Sequence, residues 1–418
     1  MRFRLFIALL AAVFCFSCSK KSKSFLIQNE ESLVLYGHTD ESIKSIKSRC
    51  LDPLEHIPYP ELKNQFPFRI IRMNFHFMHR SDKKLNFEGE TARIYARSLM
   101  EDANLKLSRN KKMNLPEGNE TPVIDPNYRY EMAKDDEKGL KGDAVYFHTD
   151  DELYHFINKG RKRNNYSREV IKKYGLNTDS ILNVFVMPHH PDSVASKTYT
   201  GSGSGIALGS SLKMAGMYAS GSQAWAFSTM FNHEVGHILG LRHTSRGNDG
   251  CDDTPNHPNC WYSSGEPPCD GITSNNMMDA NNSQMAITPC QIGIMQKNMS
   301  RDGAMQRKLV RPDWCHFDST KTVYISDTTY WHGARDISGD IVIENGGYLE
   351  VNCRVAMAKG SKIIVEPKGV LVLNNSRFHN DCGYDWDGIQ IQQKGDQIGK
   401  VQYFGEVDLE HCSKPSQP

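Results

Sequence analysis

The sequence predicts an α+β domain followed by an all-β domain, and three observations carry this. A β-rich run at residues 68–78 is followed by segments with helical spacing, the mixed pattern of an α+β unit. Residues 233–243 read HEVGHILGLRH, a helix that stops at a glycine. Beyond Cys315 the helical spacing gives way to short β-rich runs punctuated by glycine. At 418 residues the chain has room for both domains.

Taken in order, the N-terminus reads as an export signal. Arg2 and Arg4 form its charged region, and residues 5–16 form an apolar run too short to cross a bilayer. Residues 1–17 are the expected leader. Ser17 then precedes Cys18 and a polar stretch, which resembles a bacterial lipoprotein signal with Cys18 as the lipidation site. Cys15 stands where such signals usually carry leucine, so plain secretion is the alternative. The expected location is the outer membrane or cell surface through a lipid anchor, otherwise the periplasm or the medium. Residues 18–66 are polar and hold Pro53, Pro58 and Pro60, the composition of a tether or prosegment.

Residues 67–315 form the predicted first domain. Residues 68–78 make its first strand. Ala92, Ile94, Ala96, Leu99, Met100, Ala103 and Leu107 recur at helical spacing and give one buried face. Residues 108–143 are charged and loop-like, and residues 143–148 and 181–187 are two further strands. Glycine and serine surround Ile206-Ala207-Leu208. Ser222 suits the N-cap of the following helix, which offers Ala224, Phe227, Phe231, Ile238 and Leu239 to the core. Thr288-Pro289-Cys290-Gln291 combines an N-cap, a proline at the first helical position and a capping-box glutamine. Residues 316–418 form the all-β part. The run at 339–349 is echoed 22 positions later at 361–371, which suggests stacked coils of a β-solenoid. A small β-sandwich is the alternative. Trp331, Tyr384 and Trp386 can contact a ligand or fill the core of that domain.

The chemistry concentrates in the 233–243 stretch. His233 and His237 are four apart, so on a helix they point the same way and can share one Zn2+ ion. Glu234 between them can act as general base toward a zinc-activated water. Gly240 permits a left-handed stop, and the turn brings His243 back as third ligand. Three protein ligands leave a position open, the mark of a catalytic site. The bland alternative is a polar helix face with satisfied histidines.

The pattern H-E-x-x-H-x-x-G-x-x-H resembles the metzincin metallopeptidases. Ser274-Asn275-Asn276-Met277-Met278-Asp279 is similar to the Met-turn of their pappalysin/cytophagalysin branch, with Met278 as the Met-turn residue. Asp253-Thr254-Pro255 and the Thr-Pro-x-Gln helix start also match that branch, so the resemblance spans residues 67–315. It implies a metzincin-like fold, a twisted sheet plus a zinc-binding active-site helix. It also implies peptide-bond hydrolysis and an edge strand that pairs with substrate. One position departs. Many members of the branch carry tyrosine two residues after the Met-turn methionine, and here it is Ala280. Tyr218 and Tyr262 are other possible donors. Asp279 is the one acid in residues 277–289, so a preference for cleavage beside arginine is not carried over.

Of eleven cysteines, nine remain once Cys15 and Cys18 are set aside. Cys251, Cys260, Cys269 and Cys290 can form two disulfides beside the site in any of three pairings. Nine is odd, so one thiol is expected to be free. Cys50 is a candidate latency switch, a thiolate placed on the zinc by a prosegment, with a structural disulfide as the alternative. The run 248–253 is acidic and suits either Ca2+ or an ordinary turn. Charge is balanced, 50 basic against 49 acidic residues, which gives no argument for nucleic acid or an anionic membrane. The expected partner is a protein or peptide substrate, with membrane contact through the lipid alone. The competing expectation is a surface binding protein that uses the β domain and carries an inactive peptidase-like domain.

Overall fold

The computed structural model describes residues 22–39, 49–62, 64–84, 86–133, 142–195, 204–218 and 223–413. The leader, Cys18 and Ser222 lie outside the described residues. No helix among the described residues is long and apolar enough to cross a membrane. The first elements, β1 (Ser22–Ile27), α1 (Glu30–Tyr36) and β2 (His38–Thr39), pack with the C-terminal domain.

The first domain is built on β3 (Arg69–His79), α2 (Gly89–Ser108), β4 (Tyr128–Met132), β5 (Val145–Thr149), α3 (Glu169–Tyr174), β6 (Leu182–Met187), α4 (Pro191–Ala195), β7 (Ser204–Leu208) and β8 (Ser211–Ala215). The helices α5 (Ser228–Ile238), α6 (Pro289–Ser300) and α7 (Met305–Leu309) follow. The sheet order is β4-β3-β6-β8-β7, with β5 also on β3. All neighbours are parallel except β7 and β8, and that hairpin leaves β7 at the edge. All eleven residues of β3 are buried, because parallel strands are covered on both faces. Met73, Phe75 and Phe77 meet α2 and α5 on one face. Met78 joins Phe156, Val170 and Phe185 on the other.

Helix α2 buries Ala92, Ala96, Leu99, Ala103 and Leu107 as its spacing predicts. Ile94 is instead 53% exposed, because it lies off the i, i+3, i+4 stripe. Helix α5 starts at Ser228, later than expected, after a 3-10 turn at Ala224–Ala226 and with no side-chain cap. Thr288 caps α6 in the predicted box with Gln291.

The C-terminal region is two sheets of short strands. It holds β9 (Val323–Ile325), β10 (Thr328–Trp331), β11 (Arg335–Ile337), β12 (Ile341–Ile343), β13 (Tyr348–Val351), β14 (Arg354–Met357), β15 (Ile363–Val365), β16 (Val370–His379), β17 (Ile389–Lys394), β18 (Gln397–Ile398) and β19 (Lys400–Leu409). Strands β9, β12, β15 and β17 pair in parallel in that order, and β10, β13, β16 and β19 do the same. Ile341 stands beside Ile363 and Leu349 beside Leu371, so the repeat read in the sequence is the pairing register. Between the sheets lies an aliphatic core, and Trp331 and Trp386 are wholly buried in it.

Two expectations need correction here. Residues 18–66 are not a loose tether where they are described. Strand β1 pairs antiparallel with β17, β2 pairs with β19, and Ile27 and Leu33 sit in the C-terminal core. The 3-10 turn at Pro53–His56 lies so close to α6 that a Cβ on Gly293 would fall 2.3 Å from the Pro53 carbonyl oxygen. Cys50 is not a free switch, because it is bonded to Cys353. A disulfide sulfur has no thiolate to place on a metal. The other bridges among the described residues are Cys251–Cys290, Cys260–Cys269 and Cys315–Cys382, and the free thiol among them is Cys412.

The domains meet around Asp336, which is 1% exposed. Its carboxylate accepts hydrogen bonds from Arg69 of β3, Arg307 of α7 and Arg354 of β14. Burial opposes ionisation, but the three guanidinium groups outweigh it and hold the carboxyl well below its usual range.

Candidate active site

Helix α5 sets His233 and His237 one turn apart, and Gly240 then adopts φ 104°. The chain doubles back, with the Leu241 N–H donating to the Gly236 carbonyl, and delivers His243 to the same point. The three Nε2 atoms lie 3.2, 3.1 and 3.3 Å from one another. Their other sides decide what those nitrogens are. His233 Nδ1 donates to the Met277 carbonyl at 2.8 Å, and His237 Nδ1 donates to the Leu241 carbonyl at 2.9 Å. Both Nε2 atoms therefore present lone pairs, and lone pairs do not face one another at this distance without a cation between them. Nitrogens bound at about 2.0–2.1 Å to one tetrahedral zinc lie about 3.3–3.4 Å apart. The trio fits that ion. Burial is the main cause that lowers all three imidazole pKa values, that of His233 to about 4, which favours the neutral, ligating form.

Glu234 faces the edge strand. It is 8% exposed and accepts the backbone N–H of Ala207. Burial pushes its carboxyl up to about 7, against that hydrogen bond. A carboxylate with this pKa can exchange a proton near neutrality. The strand can pass this close because residue 205 is glycine. A Cβ there would lie 2.7 Å from Glu234 Cγ.

Met278 is fully buried against α5, where a Cβ on Gly236 would fall 2.6 Å from its sulfur. The Met278 N–H donates to Asn276 Oδ1, and the Asn276 and Gln291 side-chain amides exchange hydrogen bonds at 2.8 and 3.1 Å. This ties the Met-turn to the capped start of α6.

Sequence reasoning missed the use of Asp279. Its carboxylate accepts from the Thr244 and Ser245 N–H groups, both at 3.1 Å, and from the Thr244 and Ser274 hydroxyls. It also meets His257 Nε2 at 3.0 Å. It therefore clamps the residues just after His243 to the Met-turn. Burial raises the Asp279 pKa, but His257, Thr244 and Ser274 outweigh it and the net shift is downward. The signal in the sequence was one acid beside the Met-turn, which does not say what it binds.

The 248–253 run serves as turn and cap. Asp249 accepts from the Thr254 hydroxyl, and Asp253 accepts from Thr288 Oγ1 and the Cys290 N–H at the start of α6. The nearby Cys251, Asp253 and Cys290 cluster offers no thiolates, since both cysteines are in one disulfide. Tyr218 is no donor at the trio. Its hydroxyl lies 3.1 Å from both the Met78 and Val186 carbonyls. Tyr262 is 60% exposed on the loop closed by Cys260–Cys269. That loop docks beside the Met-turn, with the Ala280 N–H donating to Asn259 and the Asn282 N–H to the Trp261 carbonyl.

No curated protein matches the chain by sequence. Among solved structures, mature mirolysin of Tannerella forsythia in complex with a cleaved peptide is similar at 16% identity and a TM-score of 0.40, covering 57% of this chain and 94% of that one. A promirolysin mutant from the same bacterium gives 15% identity and a TM-score of 0.41, covering 62% of this chain and 92% of that one. Residues 165–300, which hold the histidine trio, Glu234 and the Met-turn, match the family Peptidase_M43, described as pregnancy-associated plasma protein-A. That segment of the chain is thus similar to metallopeptidases of the Peptidase_M43 family.

Proposed function

We propose that the protein is an exported zinc endopeptidase in which His233, His237 and His243 hold the metal and Glu234 is the general base. The observation that carries this is the convergence of three Nε2 atoms within 3.3 Å, two of them fixed as lone pairs, beside a buried carboxylate. Bound zinc supplies a Lewis acid that polarises the scissile carbonyl and acidifies water. Glu234 accepts the proton of the attacking water and returns it to the leaving amine. The free edge of β7 offers backbone groups on which an extended peptide can lie. Met278 supports the helix that carries two ligands, and Asp279 fixes the turn that follows the third.

Four disulfides support export, since such bonds persist outside the cytoplasm. On this reading Cys18 carries the lipid that anchors the protein. The C-terminal region is read as a short β-solenoid. Parallel pairing at a 22-residue offset supports this over a sandwich, whose strands run antiparallel.

The test is cleavage of casein by zinc-loaded protein that retains residues 22–66, beside its Glu234→Gln variant. The expected result is cleavage by the first and a loss of roughly 10²–10⁴-fold in the second with zinc still bound. Undiminished cleavage by the variant would overturn the role of Glu234.

A further inference from the structure

The chain as a whole is almost neutral, yet residues 159–173 hold seven basic residues and one acid, Glu169. Lys159, Arg161, Lys162, Arg163, Arg168 and Lys172 are all exposed, and none is in an ion pair among the described residues. Six unpaired cations within fourteen residues repel one another, so the segment must be held by something else.

That hold is Lys213 on β8, which is 2% exposed. Its ammonium donates to the Asn164 carbonyl at 2.7 Å and to the Ser167 carbonyl at 2.9 Å, and lies 5.7 Å from the Phe156 ring centroid. The Asn164 side chain closes the loop from within by accepting the Ile157 N–H and donating to the His155 carbonyl. Arg168 reaches the tip of the β7–β8 hairpin, where a Cβ on Gly209 would sit 2.9 Å from its Nη2. Below it, Ile206 of β7 packs against the same apolar cluster as Val170, Ile171 and Tyr174. The cationic loop is therefore anchored under the edge strand whose opposite face meets Glu234.

We infer that this loop is a subsite for acidic stretches of the substrate, lying where an extended chain on β7 runs out past the Leu208–Gly209 end. The inference rests on the peptidase reading of the site. A pre-anchored cluster of one sign raises the local concentration of oppositely charged chain and steers its approach, and salt screens this effect. Tyr166, 66% exposed with the Arg163 guanidinium 5.9 Å from its ring centroid, adds apolar contact to the charged surface.

The test uses the full chain carrying Glu234→Gln, loaded with zinc, and two labelled peptides that differ only in a flank of Asp and Glu against Asn and Gln. Fluorescence anisotropy at low salt should show the acidic peptide bound about tenfold more tightly. The difference should disappear at about 0.5 M salt, and also when Arg161→Glu, Lys162→Glu and Arg163→Glu are combined. Equal affinity for the two peptides would overturn the inference, as would a preference that survives the charge reversal. Equal peptide affinity, with anionic phosphatidylglycerol vesicles bound by the protein and released on charge reversal, would also overturn it and assign the loop to a membrane surface. Failure of the underlying reading looks different, since wild-type protein would then cleave neither peptide whatever the binding preference.

Discussion

Two histidine clusters in the first domain have nearly the same spacing and opposite chemistry. In one, His76 Nδ1 meets His148 Nε2 at 2.9 Å. His76 Nε2 faces the Asn74 and Asn183 side-chain oxygens, so it carries the proton and Nδ1 is the acceptor. His148 donates, and the pair is complete as two neutral rings. In the other, carbonyl groups take the protons of His233 and His237, and the nitrogens that face each other are acceptors. The first cluster is closed by its own hydrogen bonds, whereas the second presents facing lone pairs that suit a cation. Donor and acceptor roles, rather than histidine content or distance, separate a structural cluster from a metal site.

The sharpest challenge to this contrast is His237→Ala. It should abolish stoichiometric zinc binding and all measurable turnover, whereas His148→Gln should leave one zinc per chain. Elemental analysis of the purified variants decides this, and zinc lost from both would erase the distinction. Next in size is Asp336→Ala, which removes the buried carboxylate that three arginines share. It should cost about 3–5 kcal/mol in denaturant unfolding without changing the zinc content of the folded fraction. Gly205→Ala tests the contact between edge strand and base. A methyl 2.7 Å from Glu234 Cγ must displace one of them, and kcat should fall by up to about 10²-fold while zinc stays bound.

The smallest effect is the pH response of the closed pair. Burial, the leading cause, lowers the pKa of His76 to about 3 and of His148 to about 4, below the usual 6.5. Protons then bind the unfolded chain more readily than the folded one as pH falls. The contribution of the pair is full above about pH 6.5 and is lost through the window down to the folded values. For His76 this amounts to roughly 2 kcal/mol between pH 6.5 and 5. His148→Gln keeps a donor for His76 and removes one titrating ring, so unfolding midpoints across that range should vary less with pH. An unchanged pH response would show that His148 does not titrate as its burial implies.

Much of the site was legible because its geometry is local. The four-residue spacing of His233 and His237, the glycine stop and the third histidine are consequences of helix pitch and one turn. The capping box at Thr288 and Gln291 was legible for the same reason. Ala280 was also visible, as a departure from the resembling family. Other roles depend on partners far along the chain. Asp279 is one acid in a loop until the fold sets Thr244 and His257 against it. The 159–173 loop is a solvated charge run until Lys213 binds its carbonyls. Cys50 is an unassigned thiol until Cys353 arrives from 303 residues away.

By itself, the sequence determined the spacing of His233, Glu234, His237 and His243, the helix that presents them and the 22-residue strand repeat, since each follows from backbone periodicity over a few turns or rungs. Tertiary structure alone decided which cysteines pair, that β1 completes a sheet otherwise formed after residue 322, and which strand covers Glu234. Those outcomes are set by close packing between segments distant in the chain, where a missing Cβ at Gly205 or Gly293 admits a neighbour that no local pattern announces.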